Sequence, residues 1–205
     1  MAKRVIVSEA IGAVAEVIFG LILAGGQGVR MGGVDKAQLA LAGRRLIDHV
    51  SARLGPQVAR LAISANGDPA RFPGRTVLPD DPAHQEAGPL AGLIAGLGWA
   101  EAQGADALVC APVDAPFLPS DLVGRLAGAG PAMARSQGRA HPSVLYLPVA
   151  TRARIADLFA QGERRLRAAA PDARMVDFVG LPDPFTNLNT PDDLMRAEAL
   201  LREVP

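Results

Sequence analysis

The stretch Leu23-Ala24-Gly25-Gly26-Gln27-Gly28-Val29-Arg30-Met31-Gly32-Gly33-Val34-Asp35-Lys36 decides how the chain is read. It follows at once on Val17 to Leu23, an apolar run that reads as a buried strand. Two common glycine motifs are excluded. Gly-x-Gly-x-x-Gly fails because Gly26-x-Gly28 is followed by Met31 where the third glycine belongs, and the P-loop needs Gly-Lys-Ser/Thr, whereas Lys36 follows Asp35. What remains is a loop of bare amides with the forked guanidinium of Arg30 and the point charge of Lys36. Phosphate oxygens match that combination. A solvated glycine turn is the bland alternative.

Outward from this loop, short apolar runs alternate with helical patterns. The sequence predicts a helix over Arg45–Leu54, ended by Gly55-Pro56, a strand over Val58–Ser64 and a short one over Arg75–Leu78. A helix follows over Pro89–Gln103, with proline in its first turn. Ala107–Ala111 reads as a fourth strand, and Pro119-Ser120-Asp121 opens a helix through Leu126. Strands are expected over Pro131–Arg135 and Ser143–Leu147, and helices over Thr151–Phe159 and Pro191–Leu201. This alternation implies an α/β fold: a mostly parallel central sheet with helices on both faces. Ligands in such folds bind beyond the carboxyl ends of the strands, so the loops after Leu23, Ser64, Leu78 and Ala111 gather at one edge.

Composition bounds the answer. The 205 residues fit one domain, 49% hydrophobic and 20% charged, which is ordinary globular material. Acidic and basic residues balance at 21 each, giving no bulk charge for nucleic acid or a membrane surface. With one cysteine, Cys110, no internal disulfide forms, and His49, His84 and His141 lack zinc-ligand spacing. No apolar run reaches the roughly 18 residues a membrane helix needs. Glu9 and Glu16 interrupt the weak signal-like N-terminus, so the expected location is the cytoplasm.

Several side chains then stand out. Lys36 is one of only two lysines, with Lys3, in a chain of 19 arginines, which suggests a compact ammonium is needed there. Asp114, just past the fourth strand, is placed to hold Mg²⁺ against nucleotide phosphates; a turn between Pro112 and Pro116 is the alternative. Asp80 and Asp81 end the third strand, and Gly88-Pro89-Leu90-Ala91-Gly92 opens a helix whose small residues permit close approach of a ligand. Thr190 before Pro191 reads as an N-cap with Asp193 at the third helical position. Asn187 and Asn189 alternate on an extended segment and so face one site together. His141, beside Arg139 and ahead of a strand, binds an anion or caps a loop.

Taken in order, these pieces resemble the molybdenum cofactor guanylyltransferases, the MobA family. Leu-Ala-Gly-Gly-x-x-x-Arg-Met-Gly-Gly-x-Asp-Lys at 23–36 is joined by Asp80, Gly88–Gly92, Pro112-Val113-Asp114-Ala115-Pro116, His141-Pro142-Ser143, Gly162-Glu163-Arg164-Arg165 and Asn187-Leu188-Asn189-Thr190-Pro191. The resemblance spans residues 18–200. It implies a Rossmann-like three-layer nucleotidyltransferase fold, a single domain over 1–205 with 1–16 as an N-terminal extension. It implies transfer of GMP from GTP to Mo-molybdopterin with Mg²⁺, and transient contact with cofactor-synthesis and insertion proteins. Arg30, Lys36 and Asp114 would be catalytic, Asp114 holding the metal. Leu23, Ala24, Gly25, Gly26, Ser64, Asn66, Asp80, Gly88, Pro89 and Leu90 would join Lys36 and Asp114 around the nucleotide, and His141, Asn187 and Asn189 would lie on the molybdopterin side. The chain departs from the family at Ser64-Ala65-Asn66, where the usual run is Asn-Ala-Asn, and at Val113, where Cys is frequent. Three other readings are a cytidylyltransferase of the same pathway, whose loop usually reads Leu-Ala-Ala-Gly, a sugar-1-phosphate nucleotidyltransferase and a non-catalytic nucleotide-binding module.

Overall fold

A computed structural model describes residues 16–25, 27–28, 34–82 and 88–203. β1 (Ile18–Leu23) is followed by two small ribbons: β2 (Gln27–Gly28) with β3 (Val34–Asp35), and β4 (Ala40–Leu41) with β5 (Arg44–Arg45). Then come α1 (Leu46–Leu54), β6 (Leu61–Ser64), β7 (Thr76–Leu78), α2 (Pro89–Ala102), β8 (Ala107–Pro112) and α3 (Leu122–Leu126). The chain ends with β9 (Ala132–Ser136), β10 (Arg139–Pro148), α4 (Arg152–Ala160), β11 (Arg174–Asp177) and α5 (Pro191–Glu203).

Seven strands form the main sheet, in the order β11-β9-β10-β8-β1-β6-β7. β7, β6, β1 and β8 are parallel neighbours, β10 runs against both β8 and β9, and β11 is parallel to β9. β10 is therefore the one reversed strand of this sheet. Chain order turns back at β1, between β6 and β8, which is where an open α/β sheet opens a crevice for a ligand.

Burial on both faces explains why β1 reads as unbroken apolar sequence. Ile18 and Ile22 pack into one core with Ile47, Val50 and Leu54 of α1 and Val123 and Leu126 of α3. Phe19 and Leu21 pack into the opposite core with Leu93 and Leu97 of α2 and Ile155 and Phe159 of α4. The result is three layers. A smaller cluster, Leu41, Leu46, Leu188 and Ala197, seats α5 against the β4–β5 ribbon.

The sequence reading and the structure part at several places: the β2–β3 and β4–β5 ribbons were not expected, and Arg45, read as the start of a helix, closes β5. β9 and β10 form a hairpin, so His141 lies within a strand rather than ahead of one. Its turn uses positive φ at Gln137 (48°) and Gly138 (75°), and the pairing shifts register between His141 and Leu145, which accommodates Pro142. β11 was not expected; its sequence, Arg-Met-Val-Asp, is that of a short charged edge strand. Regular β6 begins at Leu61, after a 3₁₀ turn at Gly55–Gln57.

Candidate active site

Backbone hydrogen bonds carry the sheet's order past its strand ends. Ala24 N–H donates to Ser64 C=O (2.9 Å), Ala65 N–H to Leu78 C=O (3.1 Å) and Val113 N–H to Leu23 C=O (3.1 Å). The four loops predicted to converge therefore do so, around a cavity of about 920 Å³. Leu23, Ala24, Gly25, Lys36, Ser64, Asn66, Asp80, Gly88, Pro89, Asp114 and Asn187 all line it.

Lys36 opens a short 3₁₀ turn capped by the Asp35 carboxylate, which accepts from Ala37 N–H at 3.0 Å. Its ammonium donates to Asp114 Oδ2 at 2.9 Å and to Asn189 Oδ1 at 2.5 Å, joining residues 78 and 153 positions apart. The Lys36 and Asp114 side chains are 17% and 15% exposed, so this pair is screened far less than a surface salt bridge. Leu188 N–H donates to the Asp114 carbonyl at 2.9 Å, fastening the asparagine segment to the β8 loop. Behind it, Asp193 Oδ2 accepts from Asn189 and Thr190 N–H, while Thr190 Oγ1 accepts from Asp193 N–H. This is the expected capping box. The Asn189 N–H first, then the Thr190 side chain and its N–H, hold the Asp193 carboxyl below its usual value.

On the opposite wall, Asn66 and Asp80 hold each other. Asn66 Nδ2 donates to Asp80 Oδ2 and Asp80 N–H donates to Asn66 Oδ1, both at 2.8 Å. The other oxygen, Oδ1, lies toward Gly92, where a Cβ would sit 3.5 Å from it and 2.1 Å from Ser64 Oγ. Gly92 therefore keeps space open between two cavity-lining residues. Gly88 has φ +88°, a conformation glycine adopts without strain, and it turns the chain into α2 at the rim.

Arg71 was not singled out in the sequence. It pairs with Asp35, donates to the Asn66 carbonyl and lines the cavity, so it ties the end of the first loop to the Asn66–Asp80 wall. One arginine among 19 carries no local signal; only the fold sets it beside Asp35. Ser143 and Leu166 also line the cavity. Leu90, grouped with the nucleotide contacts, is instead fully buried in the core beneath α2: it packs the helix onto the sheet. His141, expected on the molybdopterin side, does not line the cavity: it bonds Ser136 and packs at a tilt of 47° against Phe185. Arg30 and Gly26 lie outside the described residues. Cys110 is buried in β8, and burial pushes its thiol up to about 12, so it stays protonated near neutral pH.

Residues 20–174 match the MobA-like NTP transferase domain. The chain belongs to the MobA-like NTP transferase family. A molybdenum cofactor guanylyltransferase from Cereibacter sphaeroides is 55% identical over 193 residues, covering 91% of this chain and 98% of that protein. Another, from Rhodobacter capsulatus, is 55% identical over 187 residues, covering 91% and 97%. Among solved structures, a molybdopterin-guanine dinucleotide biosynthesis protein A from Archaeoglobus fulgidus superposes with a TM-score of 0.71 at 23% identity, covering 91% of this chain and all of that one. At that identity it shows the shared fold. As a family member the chain is a nucleotidyltransferase, and Leu23, Ala24, Gly25, Asp35 and Lys36, at the two ends of the glycine-rich stretch, line the cavity beside β1 and β8. At the family's Asn-Ala-Asn run, Ser64 and Asn66 both face this cavity but differ in partners: the amide of Asn66 is engaged by Asp80, and Ser64 Oγ lies beside Gly92.

Proposed function

We propose that this enzyme transfers GMP from GTP to the terminal phosphate of Mo-molybdopterin, giving the guanine dinucleotide form of the cofactor and pyrophosphate. The observation that carries the reading is the junction at Lys36, where one ammonium holds both the Asp114 carboxylate and the Asn189 amide. The relatives' names supply the substrates. The acceptor phosphate is already anionic near neutral pH. It attacks the α-phosphorus in line; one P–O bond forms as the bond to pyrophosphate breaks. No strong base is demanded. The obstacle is bringing two polyanions together, and Lys36, Arg30 and the loop amides offset that repulsion and stabilise charge on the leaving pyrophosphate.

The donor set of the Asp114 carboxylate and Asn189 amide oxygen, both hard oxygens, fits Mg²⁺, which uses one or two carboxylates and completes its shell with phosphates and water. Bound there, it supplies positive charge against the triphosphate. Leu23, Ala24, Gly25, Gly26, Ser64, Asn66, Asp80, Gly88 and Pro89 form the nucleotide side in this reading, and Asn187, with His141 behind it, the acceptor side. The chain works as a single nucleotidyltransferase domain with residues 1–16 as an extension. No helix among the described residues is long and apolar enough to cross a membrane, and we place the reaction in the cytoplasm, with handover to cofactor-synthesis or insertion proteins.

The test is direct conversion: protein, Mo-molybdopterin, Mg²⁺ and either GTP or CTP, with the dinucleotide identified by chromatography. Product with GTP alone supports the reading; product with CTP overturns the choice of base. Asp114→Ala is expected to lower turnover by about 10²–10³ in a protein that still folds, checked by circular dichroism. Turnover within tenfold of the parent would remove Asp114 from the machinery.

A further inference from the structure

Residues 178–190 link β11 to α5 without regular structure and carry Asn187 into the cavity. Past Asn187 this segment is fixed by Leu188 N–H on the Asp114 carbonyl. Before Asn187 it is fixed by a partly buried polar junction of Ser136, His141 and Asp183. Ser136, at the end of β9 and 2% exposed, places its Oγ 2.7 Å from His141 Nε2 and 2.9 and 3.0 Å from the two Asp183 oxygens.

The proton count fixes the directions. A carboxylate only accepts, and a hydroxyl has one proton. Ser136 therefore donates to Asp183, and His141 donates its Nε2–H to Ser136. The same carboxylate accepts from Phe185 N–H at 2.9 Å, and the Asp183 carbonyl accepts from Thr186 N–H at 3.1 Å, a tight turn that leads directly to Asn187. Phe185, buried, packs at a tilt against His141 with centroids 4.8 Å apart and meets Phe178 edge-on at 5.3 Å. The hairpin register makes this possible: Ser136 faces Arg139, so His141, two residues on, is its diagonal neighbour on the same face.

We propose that Asp183, acting through Ser136 and His141, is the positioning residue of the acceptor side: the junction clamps the turn before Asn187 to the β9–β10 hairpin and sets where that amide meets the acceptor. The proposal rests on the guanylyl-transfer reading for the identity of the acceptor. None of the three side chains lines the cavity, so they act through Asn187. The nucleotide wall, Asn66 with Asp80, hangs on β6 and β7, at the far side of the sheet from β9.

Ser136→Ala removes the bridge and adds no bulk. It is expected to raise the KM for Mo-molybdopterin about tenfold while the KM and Kd for GTP stay within twofold. Asp183→Asn keeps an oxygen to accept from Ser136 and is expected to recover most of the loss that Asp183→Ala shows. Hydrogen exchange on the free protein gives a second readout: amides of Phe185 and Leu188 should exchange about tenfold faster in Ser136→Ala, with α1 and α2 unchanged. If both substrates' KM values rise together, or if Phe185 and Leu188 keep their protection, the proposal is overturned. A parent protein that makes no product with either nucleotide would instead refute the guanylyl-transfer reading, and the exchange result would still decide the clamp. Should Ser136→Ala not fold, Asp183→Ala against Asp183→Asn carries the same comparison.

Discussion

At the scale of single residues, the site is built from side chains whose partners are distant in sequence. Lys36, Asp114, Asn187 and Asn189 were legible because each lies in a motif with few structural uses: a lysine in an arginine-rich chain, an aspartate just past a strand, two of the three asparagines on alternate positions. Arg71 and Ser136 were not legible, since an arginine near a turn and a serine at a strand end have many uses. Asn66 was read as a candidate nucleotide contact, and its geometry gives it a sharper task. Both its amide atoms are spent on Asp80. Asn66→Ala leaves a carboxylate oxygen and an N–H without protein partners; a hydrogen bond to a charged group is worth about 1.5–3 kcal/mol. GTP affinity, measured by calorimetry, is expected to fall at least tenfold. Unchanged affinity would mean that Asp80 keeps its place without the amide.

At the scale of elements, α2 shows what apolar pattern alone leaves open. Its sequence is apolar nearly all round, so periodicity predicts a buried helix but not how closely it lies on the sheet. The distance is set by Gly92 and Gly96, one turn apart. At Gly96 a Cβ would come within 2.4 Å of Leu21 Cδ2 and 3.2 Å of Leu108 Cδ2. Two effects then oppose each other in Gly96→Ala: alanine favours the helix by about 1 kcal/mol, while overpacking a tight core costs about 1–3 kcal/mol. The clash is expected to win. A lower urea midpoint for Gly96→Ala is the predicted outcome; a higher one would mean that α2 shifts outward without loss. β11 marks the other limit of reading by element. A four-residue edge strand with charged ends has too few buried positions to show period two, and it becomes a strand because β9 offers it an unpaired edge.

For the molecule as a whole, charge ties stability to pH in two steps on the acid side. Burial pushes His141 below its ordinary value of 6.5, with Arg139 adding to the shift and Asp183 opposing it. The folded protein thus binds this proton less tightly than the unfolded chain does, so the contribution is full above 6.5 and is lost as pH falls below it. The Asp48 carboxyl, held down first by its hydrogen bond to Arg45, and that of Asp193, held down first by Asn189 N–H, have the same sign; they contribute above 3.8 and lose that contribution as pH falls through their folded values. The urea midpoint is expected to be flat from 6.5 to about 9, above which the buried Cys110 thiol counts against the fold, to decline below 6.5, and to decline again below 3.8. His141→Gln should remove the first decline; a midpoint in the parent that stays flat from neutrality down to the carboxylate range would refute this account. Sequence alone determined the layered α/β order, the glycine loop and the capping box, because local periodicity, backbone freedom and cap chemistry each act within a few residues. Only the tertiary structure decided that Leu90 is core, that His141 sits in a strand, and that Arg71 and Ser136 each join segments far apart in the chain. Those facts depend on which strands become neighbours, and neighbourhood in a sheet is set by the burial of both its faces rather than by any short stretch of chain.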